Sequence, residues 1–198
     1  ILMDGDGEDR PIEILELIGQ IEKDKNISVV AKRIRRSEGS LFKLMYEAHK
    51  MITRIFTGKK IQFGNYCCLT RKDVNLLSDK GSLWSSFSGS VKKHILKLNE
   101  INSERGKRYF GPSKMSLLSL ILHSFSIIAV FKIQVFFRSI LIFVLLSYLE
   151  IYIGIFATIS QILLIFFNLI ILAVSLREKK EDLLNSQENL NTVKEITH

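Results

Sequence analysis

Apolar residues crowd towards the C-terminal part of the 198-residue chain. From Ser139 to Leu176 the one charged residue is Glu150. A single straight helix of that stretch would be about 57 Å long at 1.5 Å per residue, against a hydrocarbon core of roughly 30 Å. Two shorter helices fit if the chain reverses near Glu150 to Gly154, or at Ala157 to Gln161. Neither half carries the polar stripe that a soluble helical hairpin needs, so the pattern predicts a two-helix transmembrane hairpin within residues 132–176. Ahead of it, KMSLLSLILHSFSIIAVF (114–131) sets Ser116, Ser119, His123 and Ser126 at helical spacing on one face. That run predicts an amphipathic helix in the membrane interface, leading into the first span. The tail, 177–198, is highly charged with few apolar positions (Leu183, Leu190, Val193), which predicts a fraying helix and no coiled coil.

The first 113 residues alternate between two periodicities. ILMD at the start reads as the end of a buried strand, and Pro11 opens a helix carrying Ile14, Leu15, Leu17, Ile18 and Ile21. Ile27–Ala31 is a second short strand, leading into the basic run KRIRR. Leu41–Phe56 has apolar positions spaced as an amphipathic helix closed by Gly58, and Ile61–Leu69 reads as a strand. A short helix over Arg71–Leu77, a Gly/Ser-rich loop around Trp84 and a helix from about Ser90 to Asn99 complete an α/β layer. The first strand ends in an acidic cluster at residue 4, and the chain opens with Ile1. We therefore expect the C-terminal part of a longer protein, and no signal peptide is visible.

Composition narrows the class. The chain has 47% apolar residues, two prolines and two cysteines, which excludes a disordered chain, a collagen-like repeat and a disulfide scaffold. Cys67 and Cys68 are adjacent, with no ligand-spaced partner, and read as ordinary buried thiols of a cytoplasmic face. Charge is segregated: 1–26 sums to −5, 27–70 to +7, 71–114 to +6 and 115–198 to zero. The positive stretch attracts phosphate of some kind. Lys132 and Arg138 precede the hairpin and Arg177, Lys179 and Lys180 follow it, so the positive-inside bias places both ends, and with them the first 113 residues, in the cytoplasm and the turn on the far side.

Candidate chemistry sits in two places. Asp4 and Asp6, in Asp-Gly-Asp at a strand end, are two carboxylates on a tight turn of the type that holds Mg²⁺ or Mn²⁺ against a diphosphate. A twelve-residue Ca²⁺ loop is excluded, because Leu15 occupies the closing position. The basic clusters Lys32, Arg33, Arg35, Arg36 and Arg105, Lys107, Arg108, Lys114 suit bidentate phosphate contact, or else form a solvated face beside an anionic bilayer. His123 lacks a second ligand at helical spacing and reads as a polar-face residue. Trp84 reads as a core or interfacial anchor ahead of a groove residue.

These residues resemble a known family. DGDGEDRP is similar to the Asp-X-Asp segment of family-two glycosyltransferases, often Asp-Ala-Asp-Gly-Gln-His-Asp-Pro. VVAKRIRR resembles the strand and paired arginines that follow it, and FGNYCCLTRKDV the Gly-Asp-Phe or Gly-Asn-Phe segment with its Leu-X-Arg. RGKRYFGPSKMSLLSLILHSFSIIAVF resembles the Arg-X-X-Gly-X-Ser-Lys motif and juxtamembrane helix of the polyprenyl-phosphate branch, which includes dolichol-phosphate mannose synthase-like enzymes. The matches keep their order over most of residues 1–176.

The resemblance implies a Rossmann-like GT-A glycosyltransferase domain, its C-terminal part spanning 1–113. It implies transfer of a sugar from a nucleotide-sugar donor to a lipid-phosphate acceptor with Mg²⁺ or Mn²⁺. Asp4 and Asp6 would bind the metal and the donor diphosphate, with Asp6 catalytic, and Arg33 and Arg36 would lie near phosphate. Arg71, Arg105, Arg108, Ser113 and Lys114 would meet the acceptor phosphate, and Gly111 would mark a close backbone approach. Asn65 stands where many relatives carry an acid, so its part in activating the acceptor differs. The family's donor-base contacts lie upstream, so these residues alone would not complete a donor site. A non-enzymatic, membrane-tethered basic module docking on anionic lipid or a protein is the alternative. Nucleic acid ranks third as a partner, given the sparse aromatic interleaving and the chain's place at a bilayer, and the single hairpin argues against a processive synthase. A homo-oligomer is compatible with the sequence.

Overall fold

The computed structural model describes residues 1–35, 40–111, 116–178, 181 and 185–186, without the side chains of 35 and 40–43. A 3-10 turn at Pro11–Glu13 leads into α1 (Ile14–Lys23), β1 (Ser28–Arg35), α2 (Ser40–Thr57), β2 (Phe63–Cys68) and α3 (Arg71–Leu77). Then come α4 (Ser82–Ser85), α5 (Phe87–His94), β3 (Leu98–Glu104), α6 (Leu117–Ala129), α7 (Lys132–Ile153) and α8 (Ile155–Ser175). The strands form a mixed sheet in the order β2-β1-β3. β1 runs antiparallel to β2, from Val29↔Cys68 to Lys32↔Phe63, and parallel to β3, from Ser28↔Leu98 to Arg35↔Glu104.

Alternation along the strands divides the core in two, because successive side chains leave opposite faces of a sheet. Val29, Ala31, Tyr66, Cys68 and Ile101 pack under Leu17 of α1. Val30, Phe63 and Cys67 face the other way, onto Val91 of α5 and the segment Ile127–Phe131. Neighbouring Cys67 and Cys68 therefore serve different cores as free, buried thiols. Burial pushes the Cys67 thiol up to about 12, which keeps it protonated and unreactive. At one end of the sheet, Ser28 Oγ donates to Asp73 Oδ2 (2.5 Å) and accepts from Thr70 N (3.0 Å). Thr70 caps α3 by accepting from Asp73 N.

Four sequence expectations change. Residues 95–99 leave the helix expected over 90–99: α5 stops at His94, and Leu98–Glu104 becomes the outer strand β3. The local Leu, Lys and Glu content suits a helix, but pairing with β1 and burial of Ile101 and Ser103 outweigh that preference. The segment around Trp84 forms the short helix α4 instead of a loop, and Trp84 is half exposed. ILMD contributes a single antiparallel bridge, Leu2 with Cys67, and Ile1, Leu2 and Met3 remain exposed instead of buried. Within the expected α1 face, Leu17 is buried while Leu15 and Ile18 point outward.

α7 and α8 are both long and apolar enough to cross a membrane. At 22 and 21 residues they measure about 33 and 32 Å. The reversal falls at Gly154 (φ +53°, ψ −130°), inside the expected Glu150–Gly154 turn; positive φ suits a residue without Cβ. Thr158 Oγ1 donates to Glu150 Oε1 (3.2 Å) and Gln161 Nε2 to Ser147 Oγ (2.9 Å), tying the two helices near the turn. At the other end Lys132 pairs with Glu178 (3.2 Å).

The hairpin is fastened to the sheet. Phe131, Val135, Ile171 and Val174 are buried in the same cluster as Val30 and Phe63. The Arg138 guanidinium donates to the Ile55 carbonyl near the end of α2 (3.0 Å). It lies against Gly58 (φ +71°), where a Cβ would stand 2.6 Å from Arg138 Nη2. The helix expected over 114–131 is described as α6, 117–129, with Ser116 as its N-cap. Its last turn is part of the core, so only its first turns are free to meet an interface.

Candidate functional site

Residues 4–9 form a tight loop beyond the sheet, at the end where the parallel strands β1 and β3 finish. Asp9 Oδ2 accepts from Asp4 N (3.0 Å) and Asp6 Oδ1 from Glu8 N (3.0 Å), so two carboxylates fold the loop on itself. A second loop, 105–110, lies against it: Gly106 N donates to the Glu8 carbonyl (2.8 Å) and Tyr109 N to that of Asp6 (3.0 Å). Two glycines permit this contact. A Cβ on Gly106 would stand 2.5 Å from the Gly7 carbonyl oxygen, and Gly7 itself has φ +89° with the Tyr109 ring against it. The close approach expected at Gly111 is thus made by Gly7 and Gly106. Gly111 has φ +58°, and among the described residues nothing stands within 4 Å of a Cβ placed there.

Guanidiniums and carboxylates interleave across these loops. Arg108 Nη2 pairs with Asp6 Oδ2 (3.2 Å) and Arg108 Nε donates to Glu8 Oε1 (2.6 Å); Arg105 pairs with Glu8 Oε2. Arg33, on β1, reaches Asp9 Oδ1 (3.4 Å) and Asp4 Oδ2 (3.9 Å). Its guanidinium passes 3.1 Å from where a Gly64 Cβ would be, so glycine in β2 leaves room for it. Asn65 donates its amide to Asp4 Oδ1 (3.1 Å). Asn65 therefore positions Asp4, and an amide has no proton-accepting carboxylate with which to activate an acceptor.

The structure brings together Asp4, Asp6, Arg33, Asn65, Arg105 and Arg108. Arg71 is elsewhere: it opens α3 beyond Cys68, level with Val29, at the opposite end of the sheet. Along β1 the rise from Val29 to Arg33 is roughly 13 Å at about 3.3 Å per residue. Arg36, Ser113 and Lys114 lie outside the described residues, as do the tail positions Leu183, Leu190 and Val193. Glu8 and Asp9 were missed as site residues by sequence reasoning. The signal was present in DGDGEDRP, since four carboxylates in six residues beside a basic segment call for counter-charges.

Burial raises the Glu8 carboxyl, but hydrogen bonds from Arg108 and Arg105 outweigh it and hold Glu8 below its ordinary 4.5. Asp9 goes the other way: burial pushes it up, against the Asp4 N–H and Arg33. A carboxylate with a lowered folded-state pKa stabilises the fold above its unfolded value, and that contribution disappears as the pH falls through the folded value. We expect Glu8→Gln to lower the unfolding midpoint at pH 7, with the gap to wild type closing below about pH 4.5. A gap that stays constant from pH 7 to pH 3 would contradict the Glu8 ion pairs.

Among the described residues, no three His, Cys, Asp or Glu side chains are grouped to hold a metal on their own. Asp4 and Asp6 nevertheless offer the hard oxygen ligands that Mg²⁺ or Mn²⁺ takes, with phosphate oxygens and water filling the other positions. Each of their oxygens has a hydrogen-bond or ion-pair partner here, and a carboxylate oxygen has capacity for a second. Comparison with protein-family models, curated proteins and solved structures finds no match for this chain.

Proposed function

We propose that this chain is part of a membrane-anchored glycosyltransferase, with a Rossmann-like GT-A catalytic domain on the cytoplasmic face. It transfers a sugar from a nucleotide-sugar to a lipid-phosphate acceptor of the polyprenyl-phosphate type. The observation that carries this reading is the Asp4–Asp6 loop and the Arg33, Arg105 and Arg108 guanidiniums, gathered where parallel strands end, on a body fastened to an apolar hairpin. In α/β sheets, ligands bind in the crevice beyond the carboxyl ends of parallel strands.

In this reading Asp4 and Asp6 hold Mg²⁺ or Mn²⁺ together with the donor diphosphate. When bound, the cation stabilises negative charge on the departing diphosphate. The acceptor phosphate oxygen forms the new bond at the anomeric carbon, and the bond to the nucleotide diphosphate breaks with its electron pair leaving on that group. A phosphate acceptor is already ionised at pH 7, so a neutral Asn65 is sufficient beside it. Arg108 and Arg105, oriented by Glu8, present their positive charge to the acceptor phosphate.

Exposed apolar surface supports delivery from a bilayer. α2 leaves Leu44, Met51 and Ile55 exposed along one stripe, and Tyr109 and Phe110 stand exposed directly beside Arg108, Phe110 at 90%. The first turn of α6 adds Leu117 and Leu118.

The test is transfer of radiolabelled sugar into the organic-extractable lipid of membranes carrying the full-length protein, with polyprenyl phosphate and a panel of nucleotide-sugars. Label that EDTA abolishes is the expected result. Absence of label, with nucleotide-sugar still bound, would retain a glycosyltransferase with another acceptor. Absence of nucleotide-sugar binding would favour a docking module, whose affinity follows net charge and falls with salt.

A further inference from the structure

A soluble amphipathic helix has one apolar side and turns it inward. α2 packs Ile52 and Phe56 against the core, yet its outward side is apolar as well. At about 100° per residue Leu44, Met51 and Ile55 fall within roughly 40° of one another, and they are 68%, 60% and 45% exposed. The opposite side carries Thr53 and Thr57, which are 2% and 3% exposed. Thr57 Oγ1 donates to the Thr53 carbonyl (2.6 Å), so that inward hydroxyl is satisfied within the helix. Small polar groups face the protein and large apolar ones face away, an arrangement that water penalises and acyl chains do not.

The place of α2 in the fold says what covers that side. Its main neighbours are α7 and α6, ahead of any strand. The Phe56 ring lies 4.5 Å, centre to centre, from that of Phe167, eight residues inside the Ser175 end of α8. Arg138, which holds the Ile55 carbonyl, is six residues inside the Lys132 end of α7. The last turns of α2 therefore sit about 9–12 Å along the hairpin from its basic end. Helices lying in a membrane interface are buried about 5–10 Å into the boundary of headgroups and acyl chains, so the levels agree. Phe137 and Leu141 of α7, at the same level, are exposed too, and the apolar surface runs on from the hairpin to α2. Arg54, Lys59 and Lys60 are exposed at this end of α2, as cations that meet lipid phosphates.

We infer that α2 is a second membrane contact: its Leu44, Met51 and Ile55 side is immersed in the leaflet that the hairpin enters, and Arg54, Lys59 and Lys60 meet anionic headgroups there. The inference rests on the reading that the hairpin spans a bilayer, and it needs no catalytic activity. It gives α2 a different part from that of a layer on the sheet, since the body is then held at the surface by α2 as well as by the hairpin.

The test places a bimane fluorophore on Met51→Cys in the whole chain, in vesicles of phosphatidylcholine and phosphatidylglycerol. Cys67 and Cys68 are buried, so the new thiol takes the label. Leu15→Cys is the control, because Leu15 is exposed on α1, which packs on the sheet face turned away from the hairpin. Lipid brominated on its acyl chains is expected to quench the Met51 label and aqueous iodide to leave it bright, with the reverse at Leu15. Iodide quenching of Met51 as strong as that of Leu15 overturns the inference. Protection from both quenchers that grows with protein density would put a second copy on α2, and overturns it too. Brominated phosphatidylglycerol should quench Met51 more than brominated phosphatidylcholine at the same content. Exchanging Lys59 and Lys60 for Gln should lower that preference by up to about fivefold for each charge, equal to about 1 kcal/mol. Equal quenching by the two lipids in the unaltered basic cluster refutes the anionic contact. Alkaline carbonate separates the two levels: a chain released from the vesicles refutes the spanning reading itself, and a chain retained with Met51 open to iodide refutes only the part given to α2.

Discussion

Exchanging both Asp4 and Asp6 for Asn in the full-length protein should lower sugar transfer by about 10³-fold or more. Losing one preorganised electrostatic contact to a developing charge costs about 10²–10³ in rate, and in the proposed function two ligands of the same cation are removed. Asn is the informative replacement because it keeps the loop. Its carbonyl oxygen can still accept from Glu8 N at position 6 and from the Asn65 amide at position 4, as Asp6 and Asp4 do at 3.0 and 3.1 Å. Arg108 keeps Glu8 as its partner, so the guanidinium is not left without a counter-charge. The change therefore removes charge with little loss of structure. Mn²⁺ binding in the presence of nucleoside diphosphate, followed by its electron paramagnetic resonance signal, should fall in parallel. Transfer at the wild-type rate in the double variant would refute the metal role of both residues.

Phe131→Ala should lower stability by about 3–5 kcal/mol, the usual cost of truncating a fully buried aromatic side chain. Phe131 is 1% exposed at the junction between α6 and α7. Its N–H donates to the Ile128 carbonyl (2.9 Å) and its own carbonyl accepts from Val135 N (3.0 Å), so its backbone is held and the cavity cannot readily collapse. The ring belongs to the cluster that joins the sheet, through Val30 and Phe63, to the hairpin, through Ile171 and Val174. Removing it loosens the body from its anchor as well as the core. At about 2–4 °C per kcal/mol for a chain of this length, the thermal midpoint in detergent should fall by roughly 6–20 °C. A shift below about 2 °C would mean that the junction is not a single cooperative core with the sheet. A parallel Leu96→Ala variant, altering a side chain that is 97% exposed, should leave the midpoint in place.

Much of the architecture was legible as period and punctuation. α3 falls on the Arg71–Leu77 predicted for it, because Thr70 and Asp73 supply a local cap that needs no distant partner. α2 follows its amphipathic spacing to Thr57, one residue before Gly58. The hairpin follows from length and apolar content, and of the two turn positions the sequence offered, the structure takes Glu150–Gly154, at Gly154 with its positive φ. β3 was not legible. Its sequence, LNEINSE, has only Leu98 and Ile101 as large apolar residues, and it is a strand because β1 presents a parallel partner and Glu13 binds Ser103 Oγ and Glu104 N.

The site divides in the same way. Asp-Gly-Asp at a strand end and the arginine-rich segments were visible as chemistry, since their residue types and local spacing mark them wherever the chain goes. Which arginine meets which carboxylate was a matter of topology. A parallel pairing places the end of β3 beside the end of β1, so Arg105 and Arg108, about a hundred residues from Glu8 in the chain, fall within bonding distance of it. The antiparallel run of β2 carries Arg71 to the far end of the sheet for the same reason. Local sequence sets the periodic elements, the apolar hairpin and the stock of charged groups, because these depend on neighbours a few residues apart. The third strand and the pairing of Glu8 and Asp9 with arginines came from the tertiary fold. Those depend on which distant backbones come within hydrogen-bonding range, and loop closure over tens of residues leaves no local trace.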